Sequence, residues 1–202
     1  HRAVQVLDLL AASVEPMTLT EMARELDLPK SSLLAICTTL TELQMMQRIP
    51  DGRYDLGIHL VDLGNAYVSG TDLVKAFTSV SPQVTLLADE TLVLSVLDDT
   101  HAVFLARRHG IHPVGFSWSQ AGARSPANCT ATGKAQLSMM PEAEIRRRFT
   151  GTLHMRTPNS IGDVDELVRE SKRTRARGYA FDDEESRVGL VCIGCPVLDA
   201  SG

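Results

Sequence analysis

Two short amphipathic patterns meeting at a corner, over residues 18–40, constrain the fold of this chain more than any other stretch. In Thr18-Leu19-Thr20-Glu21-Met22-Ala23-Arg24-Glu25-Leu26, the residues Leu19, Met22, Ala23 and Leu26 recur at helical spacing, and Thr18 with Glu21 three residues on forms a capping box. Asp27 to Pro29 predicts the corner. Pro29 stands where a first helical turn tolerates proline, Ser31 and Ser32 bring hydroxyls to a helix N-terminus, and Leu33, Ile36, Cys37 and Leu40 form a stripe for burial. Donors exposed at such a terminus suit phosphates and base edges. An ordinary helical hairpin in an all-α core carries the same pattern, so the residues that follow decide between the two.

Those residues are Glu42 to Pro50 and then Asp51-Gly52-Arg53-Tyr54-Asp55-Leu56. Asp-Gly between two short β-prone runs is a strong hairpin signal and predicts a two-stranded ribbon directly after the second helix. Helix, turn, helix and ribbon make a winged helix-turn-helix. Arg48 and Arg53 flank the turn, where side chains reach phosphates. Any solvated turn also carries arginines, so neither is specific by itself.

The chain has 202 residues, 44% of them hydrophobic, enough for a real core and for two domains. Its net charge is −5, and residues 1–60 hold five Lys and Arg against eight Asp and Glu. That balance counts against a broad nucleic-acid surface and predicts a local basic footprint with a modest salt dependence. No apolar run approaches a membrane span, and the residues present show no signal-peptide core or cleavage site, so no membrane partner and a cytoplasmic setting are expected. The chain opens within a helical pattern at His1-Arg2-Ala3-Val4, so this expectation concerns only the residues present. Cys37, Cys129, Cys192 and Cys195 are too few and scattered for a disulfide framework. Cys192 and Cys195 form a lone C-x-x-C in a β-prone run, and residues three apart on a strand face opposite sides. His109 and His112 lack a third ligand at a sensible spacing. Neither a metal nor a cofactor is expected.

Along the chain, Val4, Val6, Leu7, Leu10 and Ala11 mark a first helix ending near Glu15-Pro16. Residues 58–69 predict a linker helix, and a second pattern runs from Leu73 to Asp89, past Pro82. From Glu90 the periodicity changes. Residues 91–97 and 101–108 predict strands joined at Asp98-Asp99-Thr100, and residues 113–118 a third. A loop through Asn128 and Thr132 leads to a helix containing Ala135, Leu137, Met139 and Met140. Pro141 to Glu144 opens another helix, residues 164–177 form one stopped by Gly178, and residues 190–198 form a final strand. The expected fold class is α+β: residues 1–57 a winged helix-turn-helix, 58–80 linker helices, and 81–202 an α+β domain with a mostly antiparallel sheet.

This order of motifs resembles the IclR family of bacterial transcriptional regulators over essentially the whole chain. The resemblance is carried by the helix-turn-helix, the wing from Asp51 to Gly57, the stretch Thr130-Ala131-Thr132-Gly133-Lys134-Ala135, and Thr157-Pro158-Asn159-Ser160-Ile161. Its most specific part is Gly178-Tyr179-Ala180-Phe181-Asp182-Asp183-Glu184-Glu185 with the run Val188 to Val197. In that signature, Leu198 stands where an aromatic residue or histidine is usual. The resemblance implies a GAF/PAS-like domain that binds a small effector, a homodimer or dimer of dimers, and double-stranded operator DNA as partner. It also implies a closing strand and helix after Gly202. By position, Ala131, Thr132, Asp182 and Cys192 would line the effector cavity. Many family members carry a polar pair, often with arginine, in the middle of the reading helix, where this chain has Leu34-Ala35. Expected DNA contacts are therefore Thr20, Lys30, Ser31, Ser32, Leu34, Thr38, Arg48 and Arg53, with DNA shape supplying the rest.

Read physically, peptide N–H groups after Asn128, through Cys129 to Thr132, form an anion-friendly helix start that suits a carboxylate, or simply a capped helix without ligand. Asp182 accepts from a ligand donor or caps a turn. Cys192 reads as a small buried hydrophobe. Phe116 and Trp118, few among 4% aromatics, suggest an aromatic wall, and Phe104 a core residue. The reading is a ligand-responsive transcriptional regulator for an organic or aromatic acid. Two others stand beside it: a small enzyme with Cys192 or Cys129 as nucleophile, and a sensor that dimerises through its helices without touching DNA.

Overall fold

The computed structural model describes residues 1–111 and 120–198. The expected strand at 113–118, with His112, Phe116 and Trp118, lies outside the described residues. Two compact units divide at Gly70 and Thr71.

In the first unit, helices α1 (Arg2–Ala12), α2 (Leu19–Glu25) and α3 (Lys30–Glu42) precede strands β1 (Met46–Arg48) and β2 (Tyr54–Leu56), and α4 (His59–Gly70) follows. Val6, Leu10, Met22, Ala23, Leu33, Cys37, Leu40, Met46 and Tyr54 make one core. Helix α1 stops at Ala12, before the expected break, and Val4 from its predicted stripe is exposed. The capping box forms as predicted: Thr18 Oγ1 accepts from Glu21 N–H at 3.2 Å, and the Thr18 N–H donates to Glu21 Oε2 at 2.7 Å. That pairing also holds the Glu21 carboxyl below its usual range. Strands β1 and β2 pair antiparallel, Met46 opposite Leu56 and Arg48 opposite Tyr54. Their turn is closed by Ile49 N–H to Arg53 O at 2.9 Å, with Gly52 at φ +88°. Met17 exchanges both backbone hydrogen bonds with Tyr54, at 2.9 and 2.7 Å, so the α1–α2 connection is laced to the ribbon.

In the second unit, α5 (Asp72–Val80) ends where the expected pattern ran on to Asp89. The chain turns there through two 3₁₀ segments, Ser81–Gln83 and Thr85–Leu87. Pro82 lacks the N–H that a helix interior needs, and Arg108 donates to the carbonyls of Ser81, at 2.6 Å, and Leu87. Strands β3 (Leu92–Asp98) and β4 (His101–Arg108) form the predicted hairpin, and β5 (Arg124–Pro126) pairs with β4. Helix α6 (Ala131–Leu137) is shorter than expected: Met139 and Met140 lie beyond it, and Arg175 caps its end by donating to the carbonyls of Ser138 at 2.6 Å and Met140 at 2.8 Å. Helices α7 (Glu142–Arg148) and α8 (Val164–Arg177) follow. Asp163 accepts from Glu166 N–H at 2.8 Å to start α8, and Gly178, left-handed at φ 85°, ends it. Strand β6 (Ala180–Asp183), not foreseen, pairs antiparallel with β7 (Val191–Gly194), which occupies only the first half of the run expected at 190–198. Ala127, Leu137, Ile145, Phe149, Leu153, Leu167 and Val168 form a core of this unit. Among the described residues of this unit, every strand pair is antiparallel, in a three-stranded and a two-stranded sheet.

Candidate nucleic-acid interface and small-molecule site

Burial of Leu33, Cys37 and Leu40 turns the opposite face of α3 outward, and Lys30, Ser31, Leu34, Ala35, Thr38 and Thr39 are exposed on it. Pro29 precedes this helix without a side-chain cap, so its first N–H groups have no side-chain acceptor. Thr20 is exposed on α2, and Ser32 is half-buried. Arg48 is exposed on the ribbon with its guanidinium 5.7 Å from the centre of the Tyr54 ring. Arg53 is held more tightly, 3.5 Å from Asp51 and donating to Pro16 O at 3.4 Å. The predicted DNA contacts thus lie on α2, on α3 and on the ribbon that follows, and Ser32 and Arg53 are the least accessible of them.

In the second unit, Asp182 and Cys192 stand opposite each other across β6 and β7. Strand β7 crosses the start of α6 so closely that a Cβ on Gly194 would lie 2.5 Å from Ala131 O. Ala131, Thr132, Asp182 and Cys192 therefore fall on adjoining segments. Among the described residues, Thr132 Oγ1 is out of contact with solvent and has no hydrogen-bond partner. Buried Asp182 accepts through Oδ1 from the N–H groups of Glu185 at 2.8 Å and Ser186 at 3.1 Å, so it caps its own turn. Burial, aided by the Asp182 carboxylate, pushes the Cys192 thiol up to about 12. Such a thiol is protonated at neutral pH and is a poor nucleophile.

Asn128 and Cys129 are drawn elsewhere. The Asn128 amide donates to His154 O and Ile161 O, both at 2.8 Å, and Cys129 Sγ lies 3.3 Å from His154 O. Both are fully buried and clamp the 154–161 loop onto the turn before α6, and burial raises the Cys129 thiol as well. Helix α6, at seven residues, offers a shorter dipole than the sequence suggested.

Lys134 escaped the sequence reading. It is 1% exposed, and its ammonium donates to Phe181 O and pairs with Glu185, which closes the 181–186 turn over α6. A lysine among small residues on a buried helix was the only local sign. A cavity of about 450 Å³ adjoins this turn, lined in part by Ile161, Glu166, Glu170, Arg173, Phe181 and Glu185. Its charges satisfy one another: Glu170 takes Arg173 at 2.9 Å and Arg177 at 2.6 Å. Burial pushes Glu170 up, but these partners and Lys134 outweigh it and hold the carboxyl below its usual range. Among the described residues, none of those expected at the effector site lines this cavity. A smaller one, about 190 Å³, is lined by Asn128, His101 and His154 among others. Among the described residues, no group of three or more His, Cys, Asp or Glu is placed to hold a metal, and no helix is long and apolar enough to cross a membrane.

The thiols offer a direct check. Cys195 is exposed, Cys37 and Cys129 are buried, and Cys192 is partly covered with a raised pKa. Ellman's reagent at pH 8 should therefore titrate Cys195 first and the other three far more slowly. Equal rates for Cys192 and Cys195 would contradict the placement of Cys192.

A helix with one buried and one open face, followed by a ribbon and joined to an α+β unit, defines a two-domain DNA-binding regulator. The family model "Bacterial transcriptional regulator IclR C-terminal" matches residues 65–202, and "IclR helix-turn-helix domain" matches residues 1–50. The chain belongs to the IclR family of bacterial transcriptional regulators. It is 28% identical over 199 residues to the HTH-type transcriptional regulator XynR of Escherichia coli, covering 98% of this chain and 79% of that one. The crystal structure of the Agobacterium tumefaciens repressor BlcR matches at a TM-score of 0.61 with 37% identity, over 100% of this chain and 80% of that one. An IclR homolog from Microbacterium hydrocarbonoxydans, complexed with 4-hydroxybenzoate, shares the fold at a TM-score of 0.80 with 20% identity, over 98% and 82% of the two chains. The relatives are transcriptional regulators rather than enzymes.

Proposed function

We propose that the second unit binds a small organic or aromatic acid and that this binding alters the affinity of the first unit for operator DNA. The observation that carries the reading is the buried, unpartnered hydroxyl of Thr132, on the segment that β7 crosses beside the Asp182–Cys192 pair. A buried hydroxyl without a partner costs free energy that a ligand group recovers. The 4-hydroxybenzoate bound by the Microbacterium homolog gives the ligand class a precedent. Ala131, Thr132, Asp182 and Cys192 are the residues assigned to this site. Lys30, Ser31, Leu34, Thr38 and Arg48, with Thr20, Ser32 and Arg53, are assigned to DNA.

The working form is a homodimer or a dimer of dimers. Helix α4 contributes no buried residue, and Ile58, Val61 and Leu63 at or near its start are exposed apolar side chains. Two copies would place their α3 helices on half-sites about 34 Å apart or a multiple of that. Titrating labelled operator DNA with the protein, with and without 4-hydroxybenzoate and related acids, tests the coupling. An effector should shift the affinity by about 5- to 150-fold and raise the melting temperature in proportion to its occupancy. Acids that change neither quantity would overturn the proposal.

A further inference from the structure

The open face of α3 has an unusual chemistry for a surface that reads base edges. Ser31, Leu34, Ala35 and Thr38 follow one another at the i, i+3, i+4, i+7 spacing of a single helical stripe, with Thr39 beside it, and all are exposed. Leu34, at 47% exposure, sets an aliphatic side chain where solvent alone would favour a polar one. No Arg, Lys, Asn or Gln lies between Ser31 and Glu42. The two threonines are not free donors: Thr38 Oγ1 donates to Leu34 O at 2.9 Å, and Thr39 Oγ1 donates to Ala35 O at 3.1 Å. A hydroxyl has one hydrogen and two lone pairs, so both present acceptors outward. The middle of the helix therefore offers methyl groups and acceptor oxygens and lacks donors.

Each base pair shows a distinct pattern in the major groove. Guanine presents two acceptors, N7 and O6, which need donors. An A·T pair presents the adenine N6 amino group, a donor, and the thymine C5 methyl. A G·C pair also shows a donor, the cytosine N4 amino group, but no methyl, so only the A·T pattern meets both the acceptors and the apolar groups of this face. Residues 31–38 span about 10 Å of helix, the length of about three base-pair steps.

We infer that the middle of α3 reads A·T pairs, with Leu34 and Ala35 packed on thymine methyl groups and Thr38 and Thr39 accepting from adenine N6, so that these residues set sequence specificity. The inference rests on the first unit being a DNA-binding domain and adds the base chemistry that it recognises. Lys30 and the uncapped start of the helix hold the phosphates, and they carry no sequence information.

The test starts with the full chain and a random-sequence duplex library, from which bound duplexes are selected and sequenced. Consecutive A·T pairs are expected at the core of each half-site, and guanine enriched there would overturn the inference. The best selected duplex is then remade with deoxyuridine for thymine at those positions, which deletes only the methyl. Binding should weaken about fourfold for each methyl removed, from the transfer free energy of one buried CH₂ group. Leu34→Ala should reduce that sensitivity. Thr38→Val keeps the methyl and removes the acceptor, so it should retain the uracil penalty and relax the choice of adenine. A protein that binds the selected duplex with no uracil penalty overturns the methyl contacts and leaves the regulator reading intact. A protein that retains no duplex from the library overturns the DNA-binding reading itself.

Discussion

Lys134→Met is expected to cost about 3–5 kcal/mol near neutral pH, because it strands the buried Glu185 carboxylate without its cation. Methionine preserves most of the volume, so the loss reports the charge rather than a cavity. In the native chain, burial raises the Glu185 carboxyl, while the hydrogen bond and charge of Lys134 oppose that rise. A carboxyl whose folded value lies above its unfolded one binds its proton more tightly in the native state. Stability contributed by the site therefore falls as pH climbs from the unfolded carboxylate range through the folded value. Without Lys134 the folded value rises further and the deficit extends to higher pH. Denaturant unfolding of the variant should show its largest loss at pH 8 and a smaller one at pH 5. The double variant Lys134→Met, Glu185→Gln should recover much of the difference. An equal loss at both pH values would mean that the pair is not what closes the turn over α6.

Gly133→Ala is the second large effect. A Cβ at this position would lie 2.4 Å from Ala127 Cα and 2.5 Å from its carbonyl oxygen, and that turn cannot retreat because Asn128 ties it to His154 and Ile161. Overpacking against backbone costs about 1–3 kcal/mol and occasionally more. Gly64, inside α4, has no described residue within 4 Å of its added Cβ, so Gly64→Ala should raise stability by up to about 1 kcal/mol through helix propensity alone. Chemical denaturation of the two variants should thus move the midpoint in opposite directions. A tolerated Gly133→Ala would show that α6 and the preceding turn are farther apart than described.

The features legible in the sequence are those whose cause is local. The Thr18–Glu21 box, the corner before α3, the β3–β4 hairpin and α8 with its stop at Gly178 are each set by a few adjacent residues, and each stands where the local pattern places it. The misreadings have nonlocal causes. Helix α5 stops at Val80 partly because Arg108, on a distant strand, takes the carbonyls that follow. Helix α6 stops at Leu137 because Arg175 caps it from α8. Strand β5 is three residues, Arg-Ser-Pro, with no apolar alternation to reveal it. The site divides along the same line. The exposed stripe of α3 follows from its buried one, whereas the Asp182–Cys192 pairing depends on β6, a strand that the local pattern did not reveal. The diversion of Asn128 and Cys129, and the closure of Lys134 on Glu185, depend on partners 25 to 51 positions away.

The lacing of Met17 to Tyr54 has a consequence for synthesis. Helices α1, α2 and α3 emerge from the ribosome before Tyr54, the residue that fastens them, so residues 1–50 leave the exit tunnel as an unclasped bundle. The α1–α2 connection is fastened to the ribbon only when Tyr54 docks beside Met17. A helix-turn-helix of this design is thus completed as one short hairpin arrives, rather than helix by helix.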